Sequence, residues 1–230
     1  MPRKLGTLGV SAEDMQRHIA WDIGAAAVTT RLSDLLDAFA ILQTYSRLVI
    51  DCNRRPGIPE SVVQISESTP IPGNEAVTAT DAAAREREIF RPYHDRICTE
   101  LDLRRLRQHP TFLISVHSFT PCFHGKQRPW HAGVLYNRDA RLAAELLRRL
   151  RAEPGLVIGD NEPYSVGDST DYTLPEHGER RGLLHVGIEL RQDLIAAPAG
   201  QSQWAERLAR ALVSISGSGD TRCKLDSATN

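Results

Sequence analysis

The feature that most constrains the fold is a nearly continuous apolar run that ends in a histidine, Thr111-Phe-Leu-Ile-Ser-Val-His117. Such a run is typical of a β-strand that is covered on both faces, as in a parallel sheet flanked by helices. Further strands are predicted over His131–Tyr136, Leu156–Ile158 and Leu184–Arg191. We therefore expect these segments to form a central sheet.

Segments with helical periodicity alternate with these strands. Apolar residues at three- and four-residue steps predict a helix from about Ala12 to Phe39, broken near Gly24. The same spacing predicts helices over Thr80–Gln108, kinked at Pro92, and over Arg138–Arg151 and Gln203–Ser214. A β-rich run, Tyr45–Asp51, predicts one more strand. This alternation predicts the α/β class, as a three-layer α/β/α sandwich with a mostly parallel, mixed central sheet.

The 230 residues are expected to form a single domain over residues 1–215, followed by a polar tail over 216–230 that we expect to be disordered. The 28 basic and 29 acidic residues nearly cancel, so nothing favours a nucleic-acid partner. No apolar run reaches the ~18 residues of a membrane span, and the first residues lack the apolar core of a signal peptide. We therefore expect a cytoplasmic protein without a membrane partner. The four cysteines are scattered and indicate neither a disulfide framework nor a zinc knuckle.

Polar residues at strand ends are the first candidates for a site, because ligands of α/β sheets bind beyond the carboxyl ends of the strands. Arg54, beside Asn53, follows the Tyr45–Asp51 run and can grip a carboxylate; the alternative is a surface arginine next to a turn asparagine. His117 can bind a metal or act as a base; the alternative is a histidine that is simply hydrogen-bonded.

Glu189 lies inside an otherwise apolar predicted strand, where a carboxylate is costly to bury unless it is paired or used. Glu189 shares a strand face with Arg191. Its side chain therefore has two possible roles, a structural ion pair with Arg191 or a catalytic carboxylate. Two weaker candidate pairs are His18 with Asp22, four apart on one predicted helical face, and Glu176 with His177 in a predicted loop.

Six segments together are more specific than any single residue. They are His18-Ile-Ala-Trp-Asp-Ile-Gly24, Tyr45-Ser-Arg-Leu-Val-Ile-Asp-Cys-Asn-Arg54, Thr69-Pro-Ile-Pro-Gly-Asn74, His117-Ser-Phe-Thr-Pro121, Asp160-Asn-Glu-Pro-Tyr164 and Ile188-Glu-Leu-Arg191. Through them the chain resembles the N-formylglutamate amidohydrolase (N-formylglutamate deformylase) family over most of its length outside the tail. That family is similar in fold to the zinc carboxypeptidases, so the resemblance implies a zinc-carboxypeptidase-like sandwich.

The resemblance implies metal-dependent hydrolysis of the amide of an N-formyl or other N-acyl amino acid, such as N-formyl-L-glutamate, to formate and the free amino acid. The partner is then a small-molecule dicarboxylate. By the same resemblance, His117 is a zinc ligand, and Glu189 takes a proton from the metal-bound water. The implied substrate-binding residues are Arg47, Asn53, Arg54, Arg191 and Tyr164.

One part of the family pattern is missing. The resemblance leads us to expect a first strand ending in a Glu-His pair of metal ligands, and the segment MPRKLGTLGV ahead of His18 contains neither residue. The implied zinc ligand set is therefore incomplete in this chain. Three explanations stay open: the domain is truncated because the start is assigned too far downstream, the chain is a shortened relative that binds zinc poorly, or Glu176 and His177 replace the pair. Two alternatives stay open: an impaired remnant that binds a small carboxylate without turnover, and a carboxypeptidase-like amidohydrolase with another acyl amino acid substrate. The sequence carries no signal for the oligomeric state.

Overall fold

The computed structural model describes residues 1–217. Its helices are α1 (Ala25–Leu36), α2 (Pro72–Glu75), α3 (Ala79–Arg85), α4 (Arg91–Leu106), α5 (Arg141–Arg151) and α6 (Pro198–Gly217). Its strands are β1 (Ile65–Ser66), β2 (Thr69–Pro70), β3 (Phe112–Phe119), β4 (Cys122–Phe123), β5 (Lys126–Gln127), β6 (Ala132–Leu135), β7 (Ile158–Asp160) and β8 (Leu184–Arg191). The predicted tail falls almost wholly outside the described residues, and α6 itself extends to Gly217.

The central sheet has four strands in the order β3-β8-β6-β7. β3 is parallel to β8 and β6 is parallel to β7, whereas β6 and β8 are antiparallel. The predicted α/β class with a mixed central sheet is therefore confirmed. The predicted helix over Thr80–Gln108 corresponds to α3 and α4, which a π-helical turn, Glu86–Phe90, joins just before Pro92.

Helices pack on one face of this sheet. Side chains of α1, α5 and α6 form the main core with inward residues of β6 and β8, such as Val134 and Ile188, both fully buried. The opposite face is covered by the π-helical turn Leu174–Glu179, where Leu174 packs with Leu135. Alternation along β8 therefore points Val186, Ile188 and Leu190 into the main core and leaves Glu189 on the opposite face.

The prediction that the apolar run ending at His117 is covered on both faces is wrong. β3 is an edge strand, and residues 112–117 are only half-buried. A cavity of about 660 Å³ lies along β3, between it, α1, α4 and residues 37–43. Several exposed apolar side chains line this cavity: Trp21, Phe39, Leu42, Tyr45 and Val213. Residues of this run line the apolar cavity and also pack against the core, so apolar side chains suit both of their surroundings.

The predicted strand over Tyr45–Asp51 is also wrong, because this segment forms a buried turn. Side chains take the place of a neighbouring strand. Asn74 Nδ2 donates to the carbonyl of Leu48 at 2.9 Å, and Arg85 Nη1 donates to the carbonyl of Val49 at 2.9 Å. The turn is apolar because it packs in a second buried cluster, and its polar backbone is satisfied locally.

The predicted helix over Ala12–Phe39 is correct only from Ala25 to Leu36. Residues before Gly24 form turns, so His18 and Asp22 do not share a helical face. Gly24 has φ +79°, and a Cβ there would lie 2.2 Å from the carbonyl oxygen of Ile195. This close approach requires glycine and places Asp22 directly before the first turn of α1.

Candidate active site

His117 and Glu189 lie side by side near the carboxyl ends of two strands. They are register partners on the parallel strands β3 and β8, so their side chains project from the same face of the sheet. Glu189 is 8 % exposed, and its Oε2 has no hydrogen-bond partner among the described residues. A buried carboxylate oxygen without a partner is a candidate for direct contact with a reacting water or a substrate.

Both ring nitrogens of His117 are engaged. Nδ1 lies 2.8 Å from Asp22 Oδ2, and Nε2 lies 2.9 Å from Ser115 Oγ. The guanidinium of Arg47 completes the cluster, with Nη1 3.5 Å from Asp22 Oδ1 and Nη2 3.2 Å from Asp51 Oδ2. Two carboxylates thus surround Arg47, and one of them also holds His117.

The charges of this cluster follow from these contacts. Burial alone would lower the pKa of His117, but the hydrogen bond and charge of Asp22 outweigh it and raise the pKa to about 9. Burial opposes the ionisation of Asp22, yet Arg47 and His117 hold its pKa at about 2. Burial raises the pKa of Glu189 to about 7, although His117 and Arg47 oppose the rise. At neutral pH the cluster therefore combines a cationic imidazole with a carboxyl group that exchanges protons readily.

Tyr164 reaches the same site because two glycines leave room for its loop. A Cβ on Gly133, the register partner of Glu189, would lie 2.0 Å from the carbonyl oxygen of Glu162, and one on Gly159 would lie 2.6 Å from it. The loop therefore packs directly on the sheet beside Glu189. The Tyr164 hydroxyl accepts a hydrogen bond from Arg128 Nη1 at 2.9 Å.

Asn53 and Arg54 lie against a loop instead of facing His117 and Glu189. Asn53 Nδ2 donates to Asp171 Oδ1 at 2.8 Å, and its Oδ1 accepts from the backbone of Tyr172 and Thr173 at 3.2 and 3.0 Å. Arg54 Nη1 donates to the carbonyl of Thr170 and lies 3.8 Å from Asp171 Oδ1. The contacts of both residues hold the 168–173 loop in place.

Arg191 does not form the ion pair with Glu189 that the shared strand face suggested. Its Nε lies 2.9 Å from Asp193 Oδ1. Of the predicted substrate-binding residues, the structure therefore brings Arg47 and Tyr164 to His117 and Glu189. Their roles toward a substrate stay predictions.

The described residues do not fit a zinc ion. Residues 1–217 contain no group of three or more His, Cys, Asp or Glu side chains placed to hold a metal. A catalytic zinc ion usually takes three protein ligands, and within residues 1–217 no such group includes His117. Arg47 also places a fixed positive charge beside Asp22. Glu176 and His177 do not replace the missing ligands, because they contact Arg180 and His94 respectively.

Two site residues were not recognised as such from the sequence. The sequence pattern pairs Asp22 with His18, but His18 Nε2 instead lies 3.4 Å from Glu67 Oε1. Asp22 belongs to one of the six segments that resemble the family, and this membership is the sequence feature that marks it as a candidate site residue. Arg128 had no signal, because its neighbours Phe123 and Tyr164 are brought together only by folding.

The comparison with protein-family models agrees with the resemblance found in the sequence. The family model described as N-formylglutamate amidohydrolase matches residues 1–196. The crystal structure of a gene product from Agrobacterium tumefaciens is 38% identical, with a TM-score of 0.89, and the match covers 94% of this chain and 87% of that chain. The crystal structure of N-formylglutamate amidohydrolase from Ralstonia eutropha is 18% identical, with a TM-score of 0.48, over 64% of this chain and 56% of that chain. No curated protein matches.

None of the helices within residues 1–217 combines the length and the hydropathy needed to cross a membrane. The cytoplasmic location stays a prediction.

Proposed function

The chain belongs to the N-formylglutamate amidohydrolase family, and on that premise we propose that it hydrolyses the amide of an N-formyl amino acid such as N-formyl-L-glutamate. The products are formate and the free amino acid. The observation that carries the proposal is the buried Glu189 carboxyl group, with one oxygen that has no hydrogen-bond partner among the described residues, directly beside the His117 imidazolium that Asp22 holds.

In this proposal Glu189 is the general base. Burial raises its pKa to about 7, so the carboxylate accepts a proton from an attacking water more readily than an exposed glutamate does. The protonated Glu189 then gives this proton to the departing amine nitrogen. General acid–base catalysis of this kind contributes about 10²- to 10⁴-fold to a rate.

His117 and Arg47 supply positive charge in the proposed reaction. The amide oxygen gains negative charge as water adds to the carbonyl, and preorganised cations and hydrogen-bond donors stabilise that charge. Asp22 holds the imidazolium of His117 in place through the 2.8 Å hydrogen bond to Nδ1. Arg47 is fixed between Asp22 and Asp51, so it does not have to reorganise during the reaction.

The proposal departs here from the zinc dependence that the resemblance implied, because the described residues do not fit the ion and no step above depends on it. The misfit of the described donors favours one second candidate: binding of a small dicarboxylate without turnover. Under that candidate the same cations bind the dicarboxylate, and Glu189 does not take a proton from a water molecule because no water attacks the amide.

The test is formate release from N-formyl-L-glutamate by the purified chain, after chelation and again with added zinc. The proposal predicts formate and glutamate in equal amounts, with the same rate in both samples. Binding of N-formyl-L-glutamate by calorimetry without formate release supports the second candidate instead. Turnover only with added zinc would show that the proposed roles of His117 and Arg47 are incomplete and that a metal supplies the missing charge.

A further inference from the structure

We propose that Arg128 binds a carboxylate of the substrate and sets the preference of this site for an anionic amino acid. This inference rests on the proposed function and names the residue that recognises the substrate. The first observation is charge balance. The three arginines predicted to bind the substrate already have carboxylate partners in the chain: Arg47 with Asp22 and Asp51, Arg54 with Asp171, and Arg191 with Asp193.

Arg128 differs from these three arginines. Within residues 1–217, no carboxylate lies within ion-pair distance of its guanidinium, and only Nη1 donates a side-chain hydrogen bond, to Tyr164. Nε and Nη2 therefore keep their donors for a ligand. A guanidinium presents paired N–H donors in the geometry that a carboxylate accepts.

Aromatic rings hold this guanidinium in position. Its central carbon lies 4.5 Å from the ring centroid of Phe123, 4.8 Å from that of Tyr164 and 5.9 Å from that of Phe119. Its backbone N–H donates to the carbonyl of Pro121 at 2.8 Å. A side chain fixed by stacking loses little conformational freedom when it binds a ligand, and that freedom would otherwise oppose binding.

Arg128 also lies close to His117 and Glu189. Phe119, beneath its guanidinium, follows His117 by two residues on β3 and so projects from the same face of the sheet. Tyr164, which accepts its hydrogen bond, belongs to the loop that packs on Gly133, the register partner of Glu189. Arg128 is therefore placed to hold a carboxylate of the molecule whose amide is presented to Glu189.

The experiment compares Arg128→Gln with the unaltered chain in binding and in formate release. The first probe, N-formyl-L-glutamate, has both carboxylates. The second, N-formyl-L-glutamine, lacks the side-chain carboxylate, and the third, the α-amide of N-formyl-L-glutamate, lacks the α-carboxylate. We expect Arg128→Gln to weaken binding of the diacid about 10- to 100-fold, as for loss of a charged hydrogen-bond pair. One of the two amides lacks the carboxylate that Arg128 binds, and its affinity should change little in Arg128→Gln. The amide that behaves in this way identifies which carboxylate Arg128 binds.

The matched control is Arg55→Gln. Arg55 also stacks on an aromatic ring, 5.5 Å from the centroid of Tyr172, but it contacts the 168–173 loop through the carbonyl of Asp168. It should leave binding of all three probes unchanged. Tyr164→Phe keeps the ring and removes the hydrogen bond to Arg128, so it should raise KM for the diacid severalfold.

The outcomes separate this proposal from the proposed function. Equal losses on all three probes, or no loss on any, overturn the role of Arg128 whether or not formate is released. A selective loss in binding without formate release from any variant supports Arg128 and overturns hydrolysis. Failure of the unaltered chain to bind the diacid overturns both.

Discussion

Two histidine clusters in this protein, one half-buried and one buried, differ in one feature that decides their charge. In the candidate active-site cluster, His117 is hydrogen-bonded to the Asp22 carboxylate. In the second cluster, His94 Nδ1 lies 2.8 Å from His177 Nε2, and the two rings stack with centroids 5.1 Å apart. Among residues 1–217, no carboxylate hydrogen-bonds to either ring of this pair.

Burial acts on all three histidines in the same direction, but only one of them is held as a cation. Burial lowers the pKa of His94 and of His177 to about 4, whereas Asp22 raises the pKa of His117 to about 9. Burial lowers the pKa of all three histidines, and His117 carries charge because the Asp22 carboxylate outweighs that effect.

The neutral pair has a structural role. His94 Nε2 donates to the carbonyl of Cys52 at 2.8 Å, which leaves Nδ1 to accept from His177 Nε2. His177 Nδ1 then faces the Cys98 thiol at 3.7 Å. Every ring nitrogen is used, and the chain of hydrogen bonds anchors the backbone directly before Asn53.

The strongest test of this contrast removes the proton acceptor of the charged cluster. Glu189→Gln should lower the rate of formate release about 10²- to 10⁴-fold, because an amide cannot act as the base. The free energy of unfolding, measured by urea denaturation, should not fall, since the change removes a buried ionisable group. Exposed Glu60→Gln is the control and should keep full activity. An active Glu189→Gln would assign the base to another residue.

Replacing the partner carboxylate should make His117 resemble the neutral pair. In Asp22→Asn only burial and the neighbouring charges remain, so the pKa of His117 should fall below its usual 6.5. The rate of formate release should drop about 10²-fold, as when one preorganised oxyanion-stabilising donor is lost. NMR titration of the imidazole C–H signals measures the pKa directly. A pKa that stays near 9 would show that Asp22 is not the source of the shift.

The two clusters should also respond to pH in opposite directions. The raised pKa of His117 contributes stability that is complete below pH 6.5 and is lost as the pH rises through about 9. The lowered pKa values of His94 and His177 contribute stability that is complete above pH 6.5 and is lost as the pH falls toward about 4. The free energy of unfolding, measured with urea at several pH values, should fall on both the acidic and the alkaline side in the unaltered chain. In Asp22→Asn it should fall only on the acidic side. An alkaline limb that survives the substitution would contradict this assignment.

The smallest effect is expected at the loop beside the neutral pair. Arg54→Ala removes the contacts to Thr170 and Asp171, and a partly exposed ion pair of this kind contributes at most about 1 kcal/mol. Formate release from N-formyl-L-glutamate and from N-formyl-L-glutamine should fall by the same small factor. A loss confined to the diacid would instead support the substrate-binding role that the resemblance implied for Arg54.

Local patterns predicted the helices and strands that depend on an unbroken period. The apolar stripe of α5 and the apolar runs of β3 and β8 predicted these elements to within a few residues. The prediction failed at Tyr45–Asp51, where the backbone is satisfied by Asn74 and Arg85, which lie well beyond any local window. Side chains that replace a strand in this way leave no trace in hydrophobic periodicity.

The sequence by itself determined the fold class and singled out His117 and Glu189 as candidates, because strand alternation and strand ends are local properties that place both residues at one edge of a sheet. Only the tertiary structure decided which cations surround them. Arg47 and Arg128 reach the site, whereas Arg54 and Arg191 pair elsewhere, and Asp22 comes from a turn that was predicted to be a helix. The physical reason is that long side chains find their partners through space, so the balance of charge at a site depends on segments far apart in the chain.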